Sequence, residues 1–210
     1  MRAIVRTSDV SRLEREGLVA VAAVDVSAIA SPLEGAPAPD AAQLRMHERI
    51  TGRIHEMAPS LPSRFGQFFP DERSLAAALR DRRPELSDAL GRLGDRAEMS
   101  VTLSWREPRA HPDARGASTG REFLEAKAER EREHSDARAV VTRLVRHLAF
   151  DQAVIRHNTC PRDGVAAIVA VLIERDGAAA LRSQIDSFEE RSNDVTVVVY
   201  GPLPPYSFAS

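Results

Sequence analysis

The side chains best suited to acid/base or metal chemistry are six histidines and one cysteine, Cys160. None of the histidines stands in the spacing HExxH or beside a CxxC pair, the patterns that bring zinc ligands together. The nearest approach is HNTC at 157–160, which lies in a predicted hairpin turn, and a structural turn is the simpler interpretation. The sequence therefore predicts no metal site and no cofactor.

His47 and Arg64 are the other candidates for a site. His47 falls on the apolar side of a predicted helix, where a histidine is more often a hydrogen-bonded core residue than a general base. Arg64 lies between apolar residues in LPSRFGQFF at 61–69, and a buried guanidinium needs a fixed partner. We expect a structural salt bridge for Arg64. An anion site there, and an unfamiliar active site formed with His47, are the alternatives.

Motifs that carry common enzyme chemistry are missing from the sequence. It contains no GxSxG nucleophile elbow, no GxxxxGKS phosphate loop and no GxGxxG dinucleotide motif. We therefore expect no catalytic residues and no enzyme activity.

Charge and hydrophobicity exclude two further classes. Lys and Arg total 29 against 31 Asp and Glu, a balance that gives no field to attract nucleic acid. The apolar stretches, such as 164–173, are far shorter than the roughly 20 residues of a membrane-spanning helix. A single cysteine forms no internal disulfide, and no secretory signal follows Met1. These features predict a cytoplasmic protein without membrane insertion.

The first part of the chain mixes strands and helices. Apolar runs predict strands, and the proline-rich loop at 31–40 ends at Asp40, a predicted helix cap. Asp71 and Pro84 mark the starts of two short helices. The predicted elements are strands at 2–5 and 17–26, a helix at 40–58, an extended segment at 61–69, and helices at 72–82 and 85–94.

The second part follows a recognisable order of elements. Periodicity predicts a strand at 98–105, a helix at 120–150, strands at 151–157 and 164–174, a helix at 178–192 and a strand at 194–200. This βαββαβ order is the ferredoxin-like arrangement. The fold prediction is α+β with an N-terminal α+β domain at 1–94 and a modified ferredoxin-like domain at 95–210.

The helix at 120–150 is too long for such a sheet, since at 1.5 Å per residue it would run about 45 Å. Its residues 125–136 are nearly all charged, and only its second half has an apolar stripe. We expect a projecting helical arm, or a bent hairpin, over about 106–136. The charge run is either a solvated helix face or a surface for a partner.

The last ten residues, 201–210, form a tail of unusual composition. We expect the final strand to stop at Gly201, because the prolines that follow cannot continue it. Tyr206 and Phe208 are then free to bury their rings and to pin the tail across both domains, against the RFG segment. The alternative is that the tail is a peptide that binds a partner protein.

Several blocks in this order resemble the gas vesicle protein F/L family (GvpF/GvpL). They are RMHERITGRIHEMAPSLPSRFGQFFPDE at 45–72, the stretch at 75–103, TGREFLEAKAERE at 119–131 and YGPLPPYSF at 200–208. The combination of RFG with GPxPPYSF is specific. The residues that carry the family motifs are His47, Pro62, Arg64, Phe65, Gly66, Gly120, Arg121, Gly201, Pro202, Pro204, Pro205, Tyr206 and Phe208.

The resemblance implies a non-enzymatic accessory or minor structural protein of gas vesicle assembly. Its partners would be the hydrophobic shell protein GvpA and other gas vesicle accessory proteins, and it would prevent aggregation of the shell subunit or nucleate the shell. It would be found with the gas vesicle in the cytoplasm. A small-ligand-sensing ferredoxin-like module, with a pocket near HNTCPRDG, is the alternative function.

Overall fold

The computed structural model of the chain describes residues 1–13, 18–33, 35, 40–107, 119–148, 154–159 and 164–209. It divides into two compact units, one made of Met1–Glu98 with Leu203–Ser210 and the other of Met99–Pro202. Sheets of four strands and several helices occur among the described residues. The predicted α+β class is confirmed. The predicted domain ranges, 1–94 and 95–210, stay a prediction.

The first unit contains a sheet of four strands, β1 (Ala3–Arg6), β2 (Val19–Ala23), β3 (Val26–Ala30) and β4 (Ser60–Pro62). Their order in the sheet is β2-β3-β1-β4, and each of these neighbours is antiparallel to the next. Its helices are α1 (Ala41–Met57), α2 (Glu72–Asp81) and α3 (Arg83–Leu93), and a 3-10 helix covers Thr7–Arg12. Residues from β1, β3 and α1 form a core with Leu13.

The predicted single strand at 17–26 was wrong, because the chain turns back there and forms the β2–β3 hairpin. Val24 in the turn has a φ of 64° and is 70% exposed, a conformation that a β-branched residue rarely adopts. The turn is held through Asp25, whose carboxylate accepts hydrogen bonds from Arg83 and Ser87. No Gly or Asn marks this turn in the sequence, so only these long-range contacts reveal it.

The predicted helix starts of the first unit are confirmed. The carboxylate of Asp40 accepts the backbone N–H of Gln43 at 2.7 Å, and that of Asp71 accepts the N–H of Ser74 at 2.7 Å. Pro84 stands in the first turn of α3, where the missing N–H costs no hydrogen bond.

The second unit has the predicted βαββαβ order. Its strands are β5 (Arg96–Trp105), β6 (Val154–Asn158), β7 (Val165–Glu174) and β8 (Val195–Leu203), of which β5 and β8 extend past its ends. Its helices are α4 (Gly120–His147) and α5 (Ala178–Glu190), the latter preceded by a 3-10 turn at Arg175–Gly177. The sheet order is β6-β7-β5-β8, which in chain order is 2-3-1-4, the ferredoxin-like arrangement.

The last strand is longer than predicted. β8 continues through Gly201 and Pro202 to Leu203, and the Gly201–Pro202 peptide bond is cis. The strand lies at an edge of the sheet, where a proline need not interrupt the hydrogen-bond ladder. The expectation that Gly201 ends the strand was therefore wrong.

Helix α4 is continuous over 28 residues, about 42 Å at the standard rise. Its second half buries Val140, Val141 and Leu144, whereas most side chains between 120 and 136 are exposed. Residues 120–136 therefore form no bent hairpin. Residues 108–118 of the predicted arm lie outside the described residues, and the projection of the arm stays a prediction. None of the helices in the described ranges is both long and apolar enough to cross a membrane.

Candidate functional site

A buried polar cluster joins β1, α1 and the segment after β4. The Arg2 guanidinium donates through Nη1 to His47 Nδ1 at 3.1 Å and through Nε to the Ser31 hydroxyl at 3.1 Å. The single hydroxyl proton of Ser63 is shared between the carbonyl oxygens of Arg2, at 2.7 Å, and Met1, at 2.8 Å. Arg2, His47 and Ser63 are each at most 9% exposed, so their polar groups depend on one another.

The hydrogen bonds fix the tautomer of His47. Because a guanidinium only donates, Nδ1 must accept from Arg2, and Nε2 must then carry the proton that it donates to the Ser63 carbonyl at 2.8 Å. Burial lowers the pKa of His47, the hydrogen bond to the Ser63 carbonyl raises it by less, and the neighbouring Arg2 charge lowers it further by a smaller amount. His47 is thus a neutral bridge with both ring nitrogens occupied, and it has no lone pair free for a substrate proton.

The RFG segment lies beside this cluster. The Phe65 ring meets the His47 ring edge to face, with centroids 5.6 Å apart and an interplanar angle of 79°. Gly66 has a φ of 88°, a conformation that a residue with a side chain rarely adopts. Pro62 is buried at the end of β4.

Arg64 does not have the predicted salt bridge. Its side chain is exposed, and no carboxylate pairs with it among the residues that the structure describes. The crevice next to His47 has a volume of only about 20 Å³ and is not lined by Arg64. The buried arginine of this region is Arg2, because β1 lies inside the sheet whereas residue 64 has passed its edge strand, β4.

The residues after β8 belong to the first unit. Pro204, Pro205 and Phe208 are buried, and the backbone N–H of Phe208 donates to the Pro205 carbonyl at 3.1 Å. Ser207 donates twice to the carboxylate of Glu98, from its N–H at 2.7 Å and its hydroxyl at 2.8 Å. Glu98 is only 6% exposed, so these bonds replace the water that its carboxylate loses.

Tyr206 places its phenol beside α1. Its hydroxyl and that of Thr51 are both buried, and the pair lies outside the geometry of an ordinary hydrogen bond. Burial raises the pKa of the phenol, while the nearby Thr51 hydroxyl lowers it by less. The proposed locking of two domains by the tail stays a prediction.

The remaining motif residues stand at element ends. Gly120 begins α4 after a capping box formed by Thr119 and Glu122, and Arg121 pairs with Glu125 on the solvent side at 2.8 Å. The carbonyl of Gly201 accepts from Nη2 of Arg182 on α5, and Pro202 follows it exposed. A surface pair such as Arg121–Glu125 contributes little stability, about 0.3–0.5 kcal/mol.

The HNTC turn falls only partly within the described residues. His157 and Asn158 end the exposed edge strand β6, whereas Cys160 and residues 161–163 lie outside the description. The predicted ligand pocket near HNTCPRDG lies in the same gap. Within the described ranges no group of three or more His, Cys, Asp and Glu side chains has the arrangement of a metal site.

The sequence model of the family described as gas vesicle synthesis protein GvpL/GvpF matches residues 3–210. The chain belongs to this family. Gas vesicle protein F of Streptomyces sp. (strain CB03234) is 29% identical over 192 residues, which cover 81% of this chain and 78% of that protein.

Two crystal structures of GvpF share the fold. That from Anabaena sp. PCC7120 gives a TM-score of 0.74 at 15% identity and covers 100% of this chain and 96% of the other. That from Microcystis aeruginosa gives 0.71 at 16% identity, with 92% and 88% covered. At these identities the likeness shows the architecture, and the family assignment rests on the sequence match.

Sequence reasoning missed three features of this GvpL/GvpF family member. Arg2 and Glu98 lie in predicted strands, where nothing in their neighbours indicates a buried charge. The third feature is an open groove beside Phe68 and Phe69 in the first unit. The two adjacent phenylalanines in GQFFPDE were the only sequence signal for this groove. An extended segment points successive side chains to opposite sides, so the sequence alone does not say which of the two rings is buried.

Proposed function

We propose that this protein is an accessory or minor structural component of gas vesicle assembly that binds the shell protein GvpA. The observation that carries the proposal is the family match, which spans the chain from residue 3 to 210 and associates it with gas vesicle synthesis. Binding by this chain prevents aggregation of the subunit or nucleates the shell. Other accessory proteins are further partners.

The physical need for such a protein follows from the shell subunit itself. A hydrophobic subunit exposes apolar surface until it polymerises, and such surface aggregates unless another protein covers it. A protein that covers it needs apolar side chains of its own at the surface. Large apolar side chains are exposed on both units, for example Phe68 at 46%, Leu124 at 64% and Tyr200 at 60%.

The charged half of α4 supplies polar recruitment in this proposal. Its charges form pairs along the helix, such as Arg121–Glu125 and Glu129–Arg132. The double variant R121E/E125R keeps an i,i+4 pair of opposite charges, so the helix stays intact while the charges presented to a partner are exchanged. Weaker recovery of GvpA by this variant would support recruitment by charge.

The test of the proposed function is co-expression with GvpA. Recovery of GvpA in the soluble fraction and in a pull-down is compared with co-expression of an unrelated soluble protein of similar net charge. We expect a soluble complex only with this chain. GvpA that stays equally insoluble in both cases, while the chain itself is folded, would refute the holding role.

A further inference from the structure

The groove in the first unit gathers large apolar side chains in one concavity. It has a volume of about 480 Å³ and is bounded by β2, the segment after β3, and the start of α2. Leu33, Phe68 and Phe69, which line it, remain 50%, 46% and 37% exposed. Single exposed apolar residues are ordinary on protein surfaces, but a contiguous set with a polar border marks a binding surface.

The charged side chains of the groove are acidic. Asp71 and Glu72 line it, and both are exposed. Hydrogen bonds from Ser74 lower the pKa of Asp71. The N-terminus of α2 contributes about half a positive charge at this place, which two carboxylates exceed.

Positive groups do not balance these carboxylates. Among the described residues that line the groove, no Lys or Arg is present. Met1 also lines it, and its single ammonium, which donates to the carbonyl of Gln67 at 3.0 Å, leaves the two carboxylates in excess. The groove therefore combines an apolar floor with a negative border.

We propose that this groove binds an apolar segment that carries a basic side chain next to its apolar residues. The inference rests on the proposed function in one respect, since it assigns the segment to the shell subunit GvpA. The aromatic rings cover the apolar side chains of the segment, and Asp71 and Glu72 attract the basic one. An amphipathic helix laid in the groove presents such side chains at i, i+3 or i+4 and i+7.

The class of segment is tested first with two synthetic amphipathic peptides. They have the same apolar face and differ only in flanking Lys or flanking Glu residues, and binding is measured by fluorescence anisotropy. We expect the Lys peptide to bind the full chain about tenfold more tightly than the Glu peptide at low salt, and higher salt to reduce this difference. Equal binding of both peptides, or of neither, would overturn the inference whatever GvpA does.

The place of binding is tested with F68S/F69S. Both rings are partly exposed, so we expect the fold to persist, as checked by circular dichroism, and the Lys peptide to bind roughly a hundredfold more weakly, about tenfold for each aromatic anchor. The matched control is I168T/V198T, two side chains of the second unit that are 47% and 45% exposed. Equal losses in both variants would refute the assignment to this groove.

The charge of the border is tested with Glu72→Lys. Asp71 is left unchanged because it caps α2. We expect E72K to bind the Lys peptide several-fold more weakly and the Glu peptide more tightly, a reversal that a mere loss of stability does not produce. F68S/F69S and E72K are then each co-expressed with GvpA. Wild type that binds the Lys peptide but not GvpA would refute the proposed function alone, and F68S/F69S that still holds GvpA would refute the assignment of the segment to that subunit.

Discussion

Replacement of Phe208 by Ala asks whether the tail is part of the folded core of the first unit. The ring is 6% exposed, and Ser207 beside it holds the buried carboxylate of Glu98. A tail built mainly to bind a partner would leave the stability of the free protein unchanged. A tail that completes the core would not.

The magnitude follows from the burial. Removal of a buried phenylalanine side chain costs about 3–5 kcal/mol when the site cannot collapse. A chain of this size loses about 2–4 °C in Tm for each kcal/mol, so F208A should lower the Tm by roughly 10 °C. Ser207→Ala removes one hydrogen bond to a carboxylate and leaves the backbone bond, and it should cost about 1.5–3 kcal/mol.

The assay is thermal and urea unfolding followed by circular dichroism, with hydrogen exchange read in each unit. Exchange should accelerate in β1 and α1, which belong to the unit that holds the tail. Phe123→Ala is the matched control, because it makes the same substitution at a ring that is 49% exposed on α4. Its free energy of unfolding should change by no more than about 0.5 kcal/mol.

Equal Tm values for F208A and F123A would refute the reasoning. The same conclusion would follow if deletion of residues 203–210 left the melting curve unchanged while gas vesicle assembly was lost. The tail would then be a partner-binding peptide. A lowered Tm together with faster hydrogen exchange in the first unit alone would support a role of the tail in the core of that unit.

The other predictions concern His47, Arg64 and Thr119. Since burial holds the pKa of His47 below its ordinary value of 6.5, the unfolded state takes up the proton first and stability falls as the pH drops below about 6.5. His47→Gln, which keeps an acceptor for Arg2, should flatten this dependence in urea unfolding between about pH 7.5 and 5.5; an unchanged slope would contradict it. Arg64→Ala should change the free energy of unfolding by at most about 0.5 kcal/mol, since the side chain is exposed, and a larger loss in urea unfolding would reveal a structural role. Thr119→Ala removes the capping box and should cost about 1 kcal/mol, seen as faster hydrogen exchange in the first turns of α4; protection equal to wild type would show that the cap is dispensable.

Much of the fold could be predicted because its signals are local. Helix starts are marked by Asp40, Asp71 and Pro84, whose hydrogen bonds or dihedral preferences involve only the next three or four residues. The βαββαβ order follows from periodicity in each segment, and the ferredoxin-like sheet order is a common solution for that sequence of elements. The β2–β3 hairpin was not predicted, because its turn is held by Arg83 and Ser87, which are distant from it in the sequence.

The candidate site was less predictable, because burial of a charge depends on the partners that surround it. Arg64 has apolar neighbours in sequence and is exposed, while Arg2 has similar neighbours and is buried against His47 and Ser31. The difference lies in the position of each residue relative to the first sheet. The neighbouring residues in the sequence do not show where a side chain lies relative to the sheet.

The sequence by itself determined the family, the α+β class and the elements, since the motifs and periodicities that define them lie within short stretches. Only the tertiary structure decided where those stretches meet. It paired Ser207 with Glu98, fixed the tautomer of His47 and left Phe68 and Phe69 open beside two carboxylates. The physical reason is that hydrogen bonding, desolvation and exposure are properties of surroundings, and residues far apart in the chain supply those surroundings.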